Sequence, residues 1–334
     1  MKIGLLDHDS GNFPNLPLMK ISAWHKQRGD TVEFINFLDH YDRVYVSKVF
    51  STEYVPEDLT AINANEIIYG GTGLAISVQG TLEVYDKGKD PSLPYEVEHI
   101  YPDYGLYPNL TKNKAFGFLT RGCPNNCGFC IVSKKEGLKS VKVADLSEWW
   151  RGQKEIVLLD PNILACKDRI NLLQQLADSG AKVDFTQGLD ARLITVEIAS
   201  LLKKIKVKRF HFAFDLMKNE KQILKGLKVF TEVCQPKRES CYVYVLTNYN
   251  TTFYEDFYRI QKIQEIGLDP DIRIYRKNAL PKNHILKDLQ RWVNNRTLYR
   301  AEPDFFNYKP RADGKTIKEL YPEEYMEIMK GVKT

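Results

Sequence analysis

The sequence predicts an α/β protein with mostly parallel strands. Short apolar stretches of strand length alternate with longer stretches of helical periodicity, once in the first 80 residues and again, more regularly, after residue 113. In this second part six such units recur, and successive strands start 25 to 40 residues apart. Strands that alternate with helices in this way form right-handed, parallel βα series.

The composition is that of an ordinary globular protein. The chain has 334 residues, of which 43% are hydrophobic and 27% charged. Its formal net charge of +5 is too small to indicate a nucleic acid or membrane partner by itself. The N-terminal apolar run is too short for a signal peptide, and no apolar run reaches the roughly 18 residues of a membrane span. We therefore expect a cytoplasmic protein with no membrane partner.

The first 80 residues are predicted to form a small Rossmann-like α/β domain. A helix from Leu18 separates the first two strands, because Leu18, Ile21 and His25 lie at helical spacing and Gly29 favours a helix end. Residues 81–112 are rich in glycine, proline and tyrosine and are predicted to be an ordered linker. The predicted strands of the first domain are 2–7, 31–37, 43–46 and 66–69.

The second part carries clear signals for where its helices begin and end. Capping-box patterns start at Asp145 and Thr252, and Gly180 and Gly267 stand where helices are expected to stop. Six units are too few for a closed eight-stranded barrel. The predicted strands are 115–120, 155–160, 182–186, 207–215, 241–248 and 271–276.

Three cysteines, Cys123, Cys127 and Cys130, directly follow the first of these strands with C-x3-C-x2-C spacing. A loop this short can wrap one face of an iron–sulfur cube, whose usual ligands are thiolates. Three cysteines without an obvious fourth leave one of the four irons open for chemistry. The alternatives are a zinc site or reduced structural thiols, although zinc usually takes a fourth ligand and paired C-x2-C units. The other cysteines are scattered, and disulfides are not expected in the cytoplasm.

This loop, with the aromatic Phe129 before its last cysteine, resembles the cluster loop of the radical S-adenosylmethionine (SAM) superfamily. The resemblance covers residues 113–280 and implies a partial (β/α)6 TIM-like barrel. It further implies that the three cysteines bind a [4Fe–4S] cluster, that Phe129 is a cofactor-binding residue, and that SAM chelates the open iron. In this family reduced clusters cleave SAM to methionine and a 5′-deoxyadenosyl radical. A low-potential electron donor, flavodoxin or ferredoxin, is implied as a partner.

The first domain resembles a shortened cobalamin-binding domain of the kind that often precedes a radical SAM barrel. The opening strand, the helix that ends near Gly29 and a glycine pair after the fourth strand carry this resemblance. Some cobalamin domains use an Asp-x-His-x-x-Gly loop whose histidine binds cobalt. Here the loop contains His8 and Gly11, but Leu6 replaces the aspartate. Cobalamin is therefore not the favoured cofactor, and a domain without it is the preferred interpretation.

Ligands of parallel βα folds gather at the carboxyl ends of the strands, so polar residues there are candidates for cofactor binding. Asp160 follows the second strand, where the family binds the SAM amino group; an Asp-Pro-Asn turn is the alternative. Gln187, Asp190 and Arg192 follow the third strand and suit a ribose or carboxylate, unless Asp190 and Arg192 form a structural pair. Asn248 ends the fifth strand and is expected to contact the adenine or ribose.

The fourth strand alternates phenylalanines with polar residues. Side chains of a strand point to opposite faces at period two, so the phenylalanines should face helices while His211 and Asp215 line the lumen. His211 and Asp215 are the candidate catalytic residues; the alternative is a structural network in which they bond each other or tyrosines.

The C-terminal segment, residues 281–334, is basic and aromatic. Between Arg273 and Arg311 there are ten Lys or Arg and three Asp or Glu. Such a segment suits single-stranded nucleic acid, but closure of the barrel is the preferred interpretation.

The sequence as a whole predicts a radical SAM enzyme that abstracts hydrogen from a substrate it does not identify, with nucleic acid as one candidate. The alternatives are a cobalamin-dependent radical methyltransferase and a non-catalytic iron–sulfur protein for electron transfer or redox sensing.

Overall fold

A computed structural model describes residues 1–51, 62–79 and 82–331. The chain divides into two compact units, Met1–Thr186 and Gln187–Thr334. Both are α/β with parallel sheets, which confirms the predicted class. The predicted boundaries at residues 80, 112 and 280 are not tested by this division and stay predictions.

The strands of the first unit are β1 (Lys2–Asp7), β2 (Thr31–Phe34), β3 (Tyr41–Ser47), β4 (Ala64–Gly70), β5 (Ile76–Gln79), β6 (Leu82–Tyr85), β7 (Lys114–Gly117), β8 (Thr120–Arg121), β9 (Val141–Lys142), β10 (Glu155–Leu158) and β11 (Lys182–Phe185). Its helices are α1 (Leu16–Gln27), α2 (Thr72–Ala75), α3 (Tyr95–Glu98), α4 (Pro108–Thr111), α5 (Val132–Glu136) and α6 (Arg169–Asp178).

The second unit contains α7 (Val196–Lys204), β12 (Lys206–Ala213), α8 (Glu220–Cys234), β13 (Cys241–Thr247), α9 (Phe253–Glu265), β14 (Asp269–Ile274), α10 (Ile285–Asn294), α11 (Arg296–Ala301), α12 (Ile317–Leu320) and α13 (Pro322–Gly331). Gly180 and Gly267 follow α6 and α9 with positive φ, as their predicted role as helix ends requires. The capping box at Thr252 begins α9, whereas the one at Asp145 begins only a single 3-10 turn.

The N-terminal sheet is fully parallel, with strand order β2-β1-β3-β4. Asn15 caps α1 by accepting the N–H of Leu18, and the helix buries Leu18 and Ile21 against Ile3 and Leu5. The chain between β2 and β3 is only residues 35–40 and contains no helix. Among the described residues, the connection from β2 to β3 therefore lacks the crossover helix of a full dinucleotide-binding fold.

The predicted linker is ordered by its tyrosines. Tyr104 donates to the carbonyl of Trp149 (2.7 Å), and Tyr107 donates to Asp7 Oδ2 (2.6 Å). Tyr101 accepts a hydrogen bond from Gln153. Tyr95 differs from the expectation: it is 76% exposed and rests on His99. Residues 80 and 81, at the predicted boundary, lie outside the described residues.

The first unit also contains three parallel strands in the order β11-β10-β7. Gly117, the last residue of β7, lies under the indole of Trp149, and a Cβ there would stand 2.3 Å from a ring carbon. Only glycine allows this close packing. The strand therefore ends beside a buried tryptophan, and the chain then turns into β8.

In the second unit β12, β13 and β14 form consecutive parallel pairs. Phe210 and Phe212 of β12 both make edge contacts with Phe230 of α8 (ring centroids 4.8 Å apart in each case). The predicted alternation of β12 is therefore confirmed for its apolar face.

The C-terminal segment covers β14. Asn294 of α10 accepts the N–H of Ile272 (2.8 Å) and donates to its carbonyl, which Gln290 also binds (2.9 Å). These side chains satisfy backbone groups of β14 that β13 does not reach. Trp292 of α10 and Phe305 are buried against each other in an aromatic cluster.

Across the described ranges, no helix has the length and apolar character needed to cross a membrane.

Candidate functional site

The cysteine loop lies between β8 and α5 in the first unit. It begins at Gly122, which has a φ of +85°, and a Cβ at this position would stand 2.1 Å from the carbonyl oxygen of Lys139. β8 and β9 pair antiparallel, so the chain leaves and returns at the same place. The loop can therefore start only with glycine.

Glu136, the last residue of α5, closes the two ends of the loop. Its carboxylate accepts Arg121 Nη1 (2.9 Å) and the backbone N–H of Gly122 (3.0 Å). The N–H of Cys123 donates to the carbonyl of Gly137 (3.1 Å). Charge-assisted hydrogen bonds of this kind are stronger than neutral ones, so the entrance to the loop is well defined.

An ion-pair chain connects the loop to the N-terminal segment. Arg121 lies 3.7 Å from Glu98 Oε1, which also binds Lys20 Nζ (2.8 Å). Lys20 is buried, and burial lowers the pKa of its ammonium group. Lys135 of α5 binds Thr72 and lies 3.5 Å from Asp90. The N-terminal segment thus holds both ends of the cysteine loop.

The three thiols are half-buried and lie on a short, closed loop. The N–H of Cys130 donates to the carbonyl of Cys127 (3.0 Å), which sets the C-x2-C turn. Phe129, between them, is half-buried. Among the described residues, no group of three or more His, Cys, Asp or Glu could hold a metal ion. An iron–sulfur cube binds each thiolate through a different iron, so its ligands are more widely spread than those of a zinc ion.

Asn162 supplies a hydrogen bond to one of the thiols. Its buried amide Nδ2 lies 3.6 Å from Cys123 Sγ. Its Oδ1 accepts the N–H of Ala165, and its carbonyl accepts the hydroxyl of Ser140 (2.8 Å). The amide is therefore oriented by its own loop, and its donor is directed at the sulfur. Donors to cluster sulfurs tune reduction potential, so this contact suits a thiolate ligand.

Asp160 braces the chain that enters the cysteine loop. Its carboxylate accepts the N–H groups of Leu119 (2.8 Å) and Thr120 (2.7 Å) and the hydroxyl of Thr120 (2.6 Å). Burial raises its pKa to about 7, against the opposing effect of these donors. The predicted contact between Asp160 and SAM stays a prediction; its observed partners are the residues before the cysteines.

Asp190 and Arg192 in the second unit form the structural pair that was the alternative interpretation. Arg192 binds both carboxylate oxygens, with distances of 2.8 and 2.7 Å. Gln187, at the start of the loop that follows β11, is exposed. Leu189 donates its N–H to the carbonyl of His211 (2.7 Å), which fixes the loop against β12. Binding of a ribose or carboxylate by these residues stays a prediction.

His211 and Asp215 make separate contacts. His211 Nδ1 lies 2.8 Å from the hydroxyl of Tyr244, and Asp215 accepts the N–H of Leu246 (2.9 Å). Burial raises the pKa of Asp215. Asn248 has a left-handed φ of +62° and donates to the carbonyl of Tyr275 (2.8 Å). Their predicted roles with substrate and adenine stay predictions.

Sequence reasoning missed a buried arginine that joins the ends of β12 and β13. Arg259 of α9 is fully buried, pairs with Asp256 and donates to the carbonyls of Phe214 (2.7 Å) and Leu246 (2.9 Å). The sequence did contain an indication of this buried pair, because the charged residues Asp256 and Arg259 interrupt the apolar face of α9. Glu98, Glu136 and Asn162 were also missed, and their partners lie far away in the sequence or across a loop.

The loop that resembles a cobalamin-binding loop is tied to the neighbouring strand. Asp9 accepts the N–H groups of Val49 (2.6 Å) and Phe50 (3.0 Å) and pairs with buried Lys48. The N–H of His8 donates to the carbonyl of Ser47 (3.0 Å). A Cβ on Gly71 would stand 2.3 Å from the carbonyl oxygen of Lys48, so this glycine accommodates a backbone.

Basic residues of the C-terminal segment make contacts within the second unit. Arg300 binds Asp269 (3.1 Å), Arg296 binds the carbonyl of Pro270, and Arg291 binds the carbonyl of Pro310 (3.2 Å). These contacts attach the segment to β14 and to its own loops, and closure of a barrel by this segment stays a prediction.

Comparisons with known proteins give limited likenesses. No family model matches, and no curated protein matches. Among solved structures, the chain is similar to Streptococcus suis SuiB bound to S-adenosylmethionine, with 18% identity, a TM-score of 0.42, and coverage of 57% of this chain and 48% of SuiB. A second SuiB structure gives 17% identity, a TM-score of 0.41, and coverage of 60% and 53%. The chain thus spans about half the length of SuiB.

Proposed function

We propose that this protein is a radical SAM enzyme with a partial (β/α)6 barrel. The observation that carries the proposal is the closed cysteine loop, which presents three thiols after a strand, with an amide donor directed at one sulfur. When bound, a [4Fe–4S] cluster with one open iron would supply the electron that cleaves SAM to methionine and a 5′-deoxyadenosyl radical.

The chain's own residues position this cluster and tune it. Cys123, Cys127 and Cys130 would be its ligands, on a loop whose entrance is held by Glu136 and Asp160. Asn162 would stabilise negative charge on the Cys123 sulfur. The ion-pair chain through Glu98 would hold the loop in place, which gives residues before the loop a part in positioning the cluster.

The contacts of the first domain favour a positioning function over cobalamin binding. Asp9 pairs with Lys48 and accepts backbone N–H groups of residues 49 and 50. Gly71 packs against the backbone of Lys48. A flavodoxin or ferredoxin is the proposed electron donor.

The test is SAM cleavage by anaerobically reconstituted protein. With the cluster verified by iron and sulfide analysis, dithionite and SAM should yield 5′-deoxyadenosine above controls. Cys127→Ala should lose both cluster and product, whereas Cys234→Ala, which removes a thiol from α8, should retain both. A fully loaded protein that forms no 5′-deoxyadenosine would instead indicate a non-catalytic iron–sulfur protein.

A further inference from the structure

An exposed patch lies directly beside the cysteine loop in the first unit. The N–H of Cys123 donates to the carbonyl of Gly137 (3.1 Å), so the chain that follows Gly137 starts next to a proposed cluster ligand. Val141 then pairs with Arg121, just before the loop begins. We call this surface the loop patch; it consists of four exposed residues, Lys134, Leu138, Lys139 and Val141.

Two aliphatic side chains form the apolar part of the loop patch. Leu138 is 56% exposed and Val141 is 49% exposed, and they stand three residues apart on the segment that returns to the cysteine loop. A single exposed aliphatic residue is ordinary, but two on one short segment beside a functional loop are typical of a surface that a partner covers. The loop patch therefore offers an apolar contact close to Cys123.

The lysines of the loop patch give it an excess of positive charge. Residues 131–142 contain four lysines and one glutamate. That glutamate, Glu136, already closes the cysteine loop, and Lys142 is paired with an aspartate (2.7 Å). Lys134 and Lys139 are exposed and have no carboxylate partner among the residues that the structure describes. The patch therefore favours an acidic partner.

The position of the loop patch suits the delivery of electrons. Electron tunnelling between proteins weakens steeply with distance, so a donor must dock close to the acceptor. Only one hydrogen bond separates Cys123 from Gly137, the residue before Leu138. Small interfaces are typical of transient electron-transfer encounters, and complementary charges speed the formation of such complexes. The loop patch thus fits a small, acidic electron carrier.

We propose that the loop patch is the docking surface of a reduced flavodoxin. Lys134 and Lys139 face acidic residues of the flavodoxin, and Leu138 and Val141 face the apolar dimethylbenzene edge of its flavin. This apolar pair favours a flavodoxin over a ferredoxin, because a flavin presents an apolar ring edge at the protein surface. The proposal rests on the proposed radical SAM function, since a bound cluster is the acceptor. One electron passes from the reduced flavin to the cluster, and no bond forms or breaks.

The first test measures the binding of oxidised flavodoxin to the reconstituted protein by isothermal titration calorimetry. Lys139→Glu should weaken binding about 2- to 30-fold, because it reverses one exposed charge pair. Leu138→Asn should weaken binding about 5-fold. The matched controls are Lys154→Glu, an exposed lysine before β10, and Val196→Asn, which changes a 63% exposed residue of α7; both should bind like the wild type.

The second test compares two reductants in the formation of 5′-deoxyadenosine. With NADPH, flavodoxin reductase and limiting flavodoxin, Lys139→Glu and Leu138→Asn should be slower by the factors found for binding. With dithionite, a small reductant that needs no docking surface, both variants should match the wild type at equal iron content. Higher salt should weaken flavodoxin binding to the wild type more than to Lys139→Glu, because the lost contact is electrostatic.

The proposal is overturned if flavodoxin does not bind, if both variants bind it like the wild type, or if only a ferredoxin binds in a way that depends on the loop patch. An equal loss of activity with both reductants also overturns it, because the two residues would then act on the cluster site. A wild-type protein that forms no 5′-deoxyadenosine with dithionite contradicts the proposed function instead. The binding measurement still decides the docking surface in that case, so the two proposals fail separately.

Discussion

Removing the Asn162 amide should lower the reduction potential of the reconstituted cluster. The Nδ2–Sγ contact of 3.6 Å is a hydrogen bond to the sulfur of Cys123. Such a bond is stronger when the cluster is reduced, because the sulfur is then more negative. Its loss in Asn162→Ala therefore destabilises the reduced state more than the oxidised one.

The expected shift is about 20–60 mV toward more negative potential. A typical net hydrogen bond is worth about 0.5–1.5 kcal/mol. For a one-electron couple, about 1.4 kcal/mol corresponds to 59 mV. The long donor–sulfur distance places the expectation toward the lower end. Asn162→Asp should shift the potential further in the negative direction, because it places a negative charge near the sulfur. This variant keeps the side-chain oxygen that accepts the N–H of Ala165, so the loop retains that contact.

The assay is a redox titration followed by electron paramagnetic resonance. Asn171→Asp, an exposed residue of α6, is the matched control and should leave the potential within about 10 mV of the wild type, because a distant exposed charge is well screened. If Asn162→Ala and Asn162→Asp both keep their iron and titrate at the wild-type potential, the hydrogen bond does not reach a cluster ligand and the reasoning is wrong.

Three further predictions follow from single contacts. Gly122→Ala should destabilise the protein by about 1–3 kcal/mol and lower its iron content, because the new Cβ would clash with the Lys139 carbonyl at a residue of positive φ. Urea unfolding and iron analysis measure the two effects. Gly152 also has a positive φ but open space around its Cβ position, so Gly152→Ala measures the backbone strain without the clash. For Asp160, the folded pKa of about 7 exceeds the unfolded value of 3.8, so the folded state binds its proton more tightly and this group's stabilisation is lost as pH rises through 7. The unfolding free energy of Asp160→Asn relative to the wild type should therefore rise between pH 5 and pH 8, and a constant difference would contradict the burial argument. Arg259→Met should lower the free energy of unfolding by about 3–5 kcal/mol, because it leaves the Asp256 carboxylate buried without its cation. If adding Asp256→Asn restores stability, the unpaired charge is the cause. A double variant as unstable as Arg259→Met would exclude that cause.

Much of the local structure was predictable because it depends on neighbours in the sequence. The ten predicted strands each have an observed counterpart, and the alternation of β12 correctly placed Phe210 and Phe212 against a helix. Period two in strands and glycine at helix ends are properties of the backbone, so they can be read from adjacent residues.

The contacts around the cysteine loop were less predictable. Asn162 and Cys123 are 39 residues apart, Asp160 and Leu119 are 41 apart, and Lys20 and Glu98 are 78 apart. The sequence marked Asp160 as polar at a strand end, but nothing in its spacing indicated that both oxygens would brace residues 119–120. The sequence likewise left two roles for Arg192, binding a ligand or pairing with Asp190, and in the structure Arg192 pairs with Asp190.

The chain alone therefore specified the α/β class, the order of its elements and a three-thiol loop, since periodicity and motif spacing are local properties. Only the fold decided which side chains serve the cysteines: Glu136 closes the loop, Asn162 donates to a sulfur, and Asp160 holds the entering strand. It also brought His211 beside two tyrosines of the next strand. Hydrogen-bond partners depend on how strands and loops meet in space, and that geometry is set by packing over the whole unit.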